Sequence, residues 1–242
     1  MRRIRDVEPL STILSLLYPP ACAVCSADVE RESHLCPACA KKLTRIVAPF
    51  CAKCSEQFYG AIEGEFTCVN CAHRHLDFDA AVSAYRSRGI VRRVIHDFKY
   101  GHQVHLQHLI VDWLAEAMRD PRLEGRTFHA IIPVPLHSAR ERERGFNQAA
   151  LLAKLLGRTS GIPVQDALNR VRYTTTQTAF DRAERIENLR GAFQVRENSD
   201  VRNMRLLLVD DVLTTGSTLS ECARVLKKSG ALSVHAITAA RG

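Results

Sequence analysis

From residue 78 onward, two hydrophobic periods alternate along the chain. Short apolar runs at Ala80–Tyr85 (AAVSAY) and in HAIIPVP, AFQV, RLLLVDD and SVHAITA read as strands. Between them, IVRRVIHDFKYG, LQHLIVDWLAEAM, FNQAALLAKLLG and STLSECARVLKKSG repeat apolar residues every three or four positions, the spacing of a helix with one buried face. In the last of these, Cys222 falls on the apolar face with Leu219, Ala223 and Leu226, which makes it a core residue. Gly157 is expected to close the FNQAALLAKLLG helix. This alternation predicts an α/β fold, a largely parallel sheet with helices on both faces. Such sheets bind ligands beyond the carboxyl ends of their strands. A long polar stretch, Asn169 to Arg190, interrupts the pattern, and a loop of that length in a compact domain is either functional or disordered.

One strand carries chemistry. LLLV (Leu206–Val209) is continuously apolar, as a strand buried on both faces should be, and it delivers Asp210 and Asp211 to the ligand-binding edge. Two carboxylates placed there need hydroxyl donors, a metal or cationic side chains. A ribose cis-diol offers two donors. Immediately afterwards Thr214, Thr215, Gly216, Ser217 and Thr218 supply hydroxyls, one glycine and a helix N-terminus, whose free N–H groups suit a phosphate. A magnesium-binding strand of the Walker B type would need a G-x-x-x-x-G-K-[ST] loop elsewhere, and the chain has none.

Ahead of residue 78 the composition changes. Eight of the nine cysteines lie before residue 72, in four Cys-x-x-Cys pairs: Cys22 and Cys25, Cys36 and Cys39, Cys51 and Cys54, Cys68 and Cys71. Two such turns complete a tetrahedral sulfur shell, so two structural zinc sites are expected. Sequential pairing (Cys22, Cys25, Cys36, Cys39, then Cys51, Cys54, Cys68, Cys71) is favoured over an interleaved one because each intervening gap is short. A segment with so little apolar mass would draw its folding free energy from metal, on the order of 10 kcal/mol per site. The composition boundary predicts two domains, residues 1–76 (an N-terminal helix and the cysteine knuckles) and 77–242.

Charge and hydropathy narrow the partners. Lys and Arg outnumber Asp and Glu by 34 to 26, a balance suited to phosphates or nucleic acid. Asp6, Glu8 and Pro9 interrupt the N-terminal apolar stretch, which is too short to span a bilayer; Leu10, Ile13, Leu14 and Leu17 instead predict a short amphipathic helix. With no transmembrane segment expected, a cytoplasmic location follows. Spacing of three spreads His102, His105 and His108 around a helix, so they read as solvent-facing.

Taken together, LLLVDDVLTTGST closely resembles the phosphoribosyl pyrophosphate (PRPP) signature of type I phosphoribosyltransferases. The cysteine knuckles in front of it, with PPACAVC, FKYG, IIPVPLH, RERGFNQAALLA, the stretch from Gln177 through Arg185 and Asn188 to GAF, and the signature itself, resemble the ComF family over nearly the whole chain. That resemblance implies a double zinc ribbon followed by a phosphoribosyltransferase-like domain. It implies that Asp210 and Asp211 hold the ribose hydroxyls as the catalytic pair, and that Thr214, Thr215, Gly216, Ser217 and Thr218 hold the 5-phosphate. Pro133–His137 would sit where the superfamily has its pyrophosphate loop. Lys99 and Arg144 are candidates for the charges facing pyrophosphate and its magnesium, and the polar stretch resembles the superfamily's closing loop, with Arg172, Gln177, Arg182 and Arg185 as candidate contacts. The family's role implies natural transformation, with PRPP, single-stranded DNA and DNA-uptake proteins as partners. A salvage-type transferase acting on a nucleobase is the alternative, and a zinc adaptor with a vestigial pocket a third. No base-recognition hood is visible after AITAARG.

Overall fold

The computed structural model describes residues 20–30, 33–62, 64–172 and 189–242. The chain forms two compact units, Met1–Leu43 and Thr44–Gly242. The composition boundary near residue 76 therefore falls inside the second unit.

In the first unit, Ala21 bridges Asp28 in antiparallel fashion, and the knuckle between them is closed by Cys22 N–H to Ala27 O (2.7 Å) and Ser26 N–H to Cys22 O (2.9 Å). The short helix α1 (Pro37–Ala40) begins at Cys36, whose sulfur accepts the Cys39 N–H. The second unit opens with the same construction. Phe50 bridges Gln57, Cys51 N–H donates to Glu56 O (2.8 Å), Ser55 N–H donates to Cys51 O (2.9 Å), and α2 (Val69–Ala72) begins at Cys68. Ser26 and Ser55 both take left-handed backbone, with φ of 60° and 61°.

The second knuckle is built into the larger unit. Ala81 N–H donates to Lys53 O (2.9 Å), Ser55 Oγ donates to Ala81 O (2.9 Å), and Arg122 reaches the carbonyls of Cys51 and Ala52. Cys51, Cys54 and Cys68 belong to the same apolar cluster as Phe78, Ala81 and Leu219. These contacts explain why composition and packing divide the chain at different places.

After the knuckle come β1 (Ala81–Arg86), α3 (Gly89–Tyr100), a 3-10 turn and α4 (Gln107–Ala117), then β2 (Ala130–Pro133), α5 (Ser138–Arg144) and α6 (Gln148–Ser160). The chain continues through β3 (Leu168–Arg170), β4 (Phe193–Val195), β5 (Arg205–Leu213), α7 (Ser217–Lys228) and β6 (Ser233–Arg241). The main sheet is parallel throughout, in the order β1-β6-β5-β2, as the alternating pattern predicts. Leu206 to Val209 are fully buried. Leu206 and Leu208 join Leu219, Cys222 and Leu226 of α7 in one cluster. Successive strand side chains point to opposite faces, so Leu207 and Val209 meet the layer of α4 and α6.

Three details differ from the sequence expectation. α6 runs past Gly157 to Ser160 and ends at Gly161, whose φ of 74° is the left-handed cap. Gly157 is needed for another reason: a Cβ there would lie 2.6 Å from Val164 Cγ2 and 3.0 Å from Ile162 O, so it lets the returning chain pack on the helix. β5 continues beyond the acids to Leu213, paired with β6 alone. The polar stretch is closed at its base by a short antiparallel pair, β3 with β4, extended by Val171 N–H to Ala192 O. Residues 173–188, and with them Gln177, Arg182 and Arg185, lie outside the described residues, as does the N-terminal apolar stripe.

Candidate functional site

Each cysteine quartet converges as sequential pairing requires. Ligand atoms of Cys22, Cys25, Cys36 and Cys39 lie within 4.8 Å of one another, as do those of Cys51, Cys54, Cys68 and Cys71. A tetrahedral zinc with bonds of about 2.3 Å places its sulfurs about 3.8 Å apart. The Cys25–Cys36 and Cys54–Cys68 sulfurs are each 3.6 Å apart, so both quartets fit the ion. Thiols packed this closely do not ionise independently. Hydrogen bonds from Cys54 and Cys71 hold Cys51 well below the ordinary thiol range, while its bond to Cys51 helps push Cys54 up to about 12. A dication would stabilise all four thiolates together.

The acidic corner is made by strands of unequal reach. β2 stops at Pro133, opposite Val209, whereas β5 and β6 pair on to Leu213 and Arg241. Asp210 and Asp211 thus lie just past the carboxyl end of β2, beside the chain that leaves it. Val134 N–H donates to Val209 O (3.0 Å) and Asn147 Nδ2 donates to Val134 O (3.2 Å), which holds the Pro133–His137 segment against this edge. The described chain's cis peptide is Ala48–Pro49, so the peptides of Pro133–His137 are trans.

Asp211 is buried and paired with Lys99 Nζ at 2.8 Å. Burial pulls the Lys99 ammonium down, but the carboxylates of Asp211 and Asp210 together outweigh it, and the net shift is upward. Asp210 accepts the Asp211 N–H on Oδ1 (2.9 Å). Desolvation first, and the Asp211 charge second, raise its carboxyl to about 7, against the opposing pull of Lys99 and Arg170. With both acids ionised, Lys99 neutralises Asp211 and Arg170 partly offsets Asp210, and the carboxylate oxygens remain acceptors for a hydroxyl donor or a cation.

Beyond the strand, Gly216 takes a φ of 77°, a conformation that favours glycine, and α7 starts at Ser217. Thr214 is exposed, Thr215 and Thr218 are half-buried, and Ser217 is buried. The Thr215 and Ser217 hydroxyls are 3.0 Å apart. Of the other candidates, Arg144 lies over the Tyr100 ring at 4.7 Å and donates to its hydroxyl (2.9 Å). Since Tyr100 follows Lys99, both cations stand at the end of α3. Arg172 donates to Arg190 O (3.2 Å), bridging the base of the polar stretch.

Several residues at this corner were not singled out from sequence. Arg74 donates to Thr215 O (3.0 Å) and Ser217 Oγ (3.1 Å). Asp77 and Ser220 exchange two bonds of 3.0 Å. Glu221 accepts the Gly191 N–H (2.7 Å) and so anchors one end of the polar stretch to α7. Arg170 lines a cavity of about 600 Å³ with Pro135, His137, Asn147 and Lys154, and its charge reaches Asp210. These pairings join positions far apart in sequence and leave no local signature.

The double zinc ribbon domain family matches residues 13–72, and the phosphoribosyl transferase domain family matches residues 142–242. Competence protein F of Haemophilus influenzae is 32% identical over 216 residues, which span 86% of this chain and 91% of that protein. DNA utilization protein YhgH of Salmonella typhimurium is 28% identical over 227 residues, 92% of this chain and 90% of that one. Among solved structures, orotate phosphoribosyltransferase from Aeropyrum pernix is 17% identical, covering 60% of this chain and 62% of that chain with a TM-score of 0.35. Among the described residues, no helix is long and apolar enough to cross a membrane.

Proposed function

The chain belongs to the competence protein F (ComF) family, and on that premise we propose that its larger unit binds magnesium-PRPP at the carboxyl edge of β5 while the protein handles incoming single-stranded DNA in the cytoplasm during natural transformation. The observation that carries the reading is the adjacency of Asp210 and the Lys99-paired Asp211 to the Thr214–Thr218 turn at the start of α7. Each acid would accept one ribose hydroxyl, and the turn's hydroxyls and helix N–H groups would take the 5-phosphate. Lys99 and Arg144 would stand on the pyrophosphate side. Magnesium bound with the pyrophosphate would supply the positive charge that a single ammonium does not. In an active transferase the same acids would stabilise positive charge developing on the sugar as pyrophosphate departs.

The relatives' names support the DNA reading, and a net charge of +8 suits a polyanion. Binding of a single-stranded oligonucleotide to the full-length protein should weaken linearly in log salt, with a slope of about −0.7 per phosphate contacted. Disrupting the gene in a naturally transformable host should abolish transformants, and unchanged transformation would refute the uptake role. One observation favours salvage transfer as a second reading: the cavity beside Pro133–His137 is also lined by Asn169, whose side-chain amide suits a base edge. Pyrophosphate release from PRPP in the presence of one base of a panel would select that reading.

A further inference from the structure

The second cysteine quartet and the sugar-phosphate turn are joined by two independent bridges. The first is polar. Arg74 lies three residues after the ligand Cys71, and its guanidinium binds the carbonyl of Thr215 and the hydroxyl of Ser217. Three residues further on, Asp77 is locked to Ser220, one turn into α7: its N–H donates to the Ser220 hydroxyl, which donates in turn to its carboxylate. The second bridge is apolar. Lys53, inside the Cys51–Cys54 knuckle, sits over the Phe78 ring at 5.5 Å, and a Cβ on Gly216 would lie 3.5 Å from Cε1 and Cζ of the same ring. Phe78 is fully buried, and it shares one apolar cluster with Cys51, Cys54, Cys68 and Leu219.

Both bridges fix the turn itself. In a trans peptide the C=O and the following N–H point in opposite directions. Holding Thr215 O toward Arg74 therefore sets the Gly216 N–H on the other side of the turn. Phe78 packs beside Gly216, and the Ser220 hydroxyl ties the first turn of α7 to Asp77. A phosphate site built from backbone N–H groups and hydroxyls depends on such orientation. Arg74 and Asp77 hold their own positions because the segment leaving Cys71 is tethered by the quartet, and a metal there would stiffen that tether.

We propose that metal at Cys51, Cys54, Cys68 and Cys71 and a phosphorylated sugar at Thr214–Thr218 bind cooperatively, with Arg74 as the positioning residue that couples them. This rests on the sugar-phosphate reading of the turn. Coupling of two sites is reciprocal, and couplings of this kind range from about 5- to 150-fold.

The test uses full-length zinc-loaded protein and ribose 5-phosphate, which probes the turn without a pyrophosphate group. Zinc transfer to a chromophoric chelator is followed with and without the saturating sugar phosphate, and affinity for the sugar phosphate is measured by calorimetry. One of the two zinc ions should leave at least about 5-fold more slowly when the sugar phosphate is bound. Arg74→Gln, still carrying both zinc ions, should bind ribose 5-phosphate about 5- to 10-fold more weakly and lose the protection; Arg74→Lys should restore part of both. If Arg74→Gln does not fold, Ser220→Ala removes the Asp77 bridge and serves the same purpose. Binding of ribose 5-phosphate with unaltered zinc release, or wild-type affinity in Arg74→Gln, would overturn the coupling alone. Failure of the wild-type protein to bind either ribose 5-phosphate or PRPP would overturn the site reading, and the coupling with it.

Discussion

At Asp210 the fold carries a cost that its ligand would relieve. Its carboxyl titrates at about 7 in the folded chain against an ordinary 3.8, because burial and the neighbouring Asp211 both oppose ionisation. A raised carboxyl favours folding below pH 3.8, and that contribution is lost as pH rises through about 7. Asp210→Asn should therefore match wild type near pH 4 and become the more stable protein above pH 7, by up to about 4 kcal/mol if the whole shift is expressed. Thermal melts across that range check it, and a constant difference would show that Asp210 is not the titrating group. Lys99→Met should act in the opposite direction. It leaves buried Asp211 without its cation, at a cost of about 3–5 kcal/mol at pH 8, read from the urea midpoint at unchanged slope. The acids were legible because an apolar strand announced them. Lys99 was chosen from sequence for pyrophosphate, and its partner Asp211 lies 112 positions away, beyond any local pattern.

At the scale of elements, strongly periodic segments were readable and contacts between segments were not. β5 and α7 followed from four buried residues in a row and from the Leu219–Leu226 stripe. The end of α6 was misplaced because a glycine near a helix terminus usually serves as a cap, whereas Gly157 provides room for Val164. Gly157→Ala should lower stability by about 1–3 kcal/mol while Gly161 keeps the helix end in place; a neutral effect in denaturant unfolding would contradict that packing role. β4 falls on the AFQV run, but β3 spans only three residues, too short to give a period, and nothing local marks its pairing with β4. A subtler signal is the repeat itself: P-A-C-A-V-C-S at Pro20–Ser26 recurs as P-F-C-A-K-C-S at Pro49–Ser55, the sequence form of the duplicated knuckle. The repeated serine marks the left-handed position that closes each turn.

Across the whole molecule, the cysteines that look like one front domain serve two units. One quartet lies within Met1–Leu43, and the other is packed into the core of Thr44–Gly242. Zinc analysis should give two equivalents per chain. Replacing Cys22 and Cys25 with serine should remove one equivalent and leave the melting transition of the larger unit in place, because none of that unit's ligands is touched. Replacing Cys51 and Cys54 should lower or abolish that transition, since both are buried among Phe78, Ala81 and Leu219. Calorimetric scans of the two variants distinguish this arrangement from a single front domain, in which both would behave alike.

The sugar-phosphate corner is tested most directly by calorimetric titration of magnesium-PRPP into wild type and the Asp210→Asn, Asp211→Asn double variant. At pH 8 wild type should bind one equivalent, and the folded double variant should bind at least about 100-fold more weakly, equivalent to the loss of two charge-assisted hydrogen bonds of about 1.5 kcal/mol each. Equal affinity in the two proteins would contradict it.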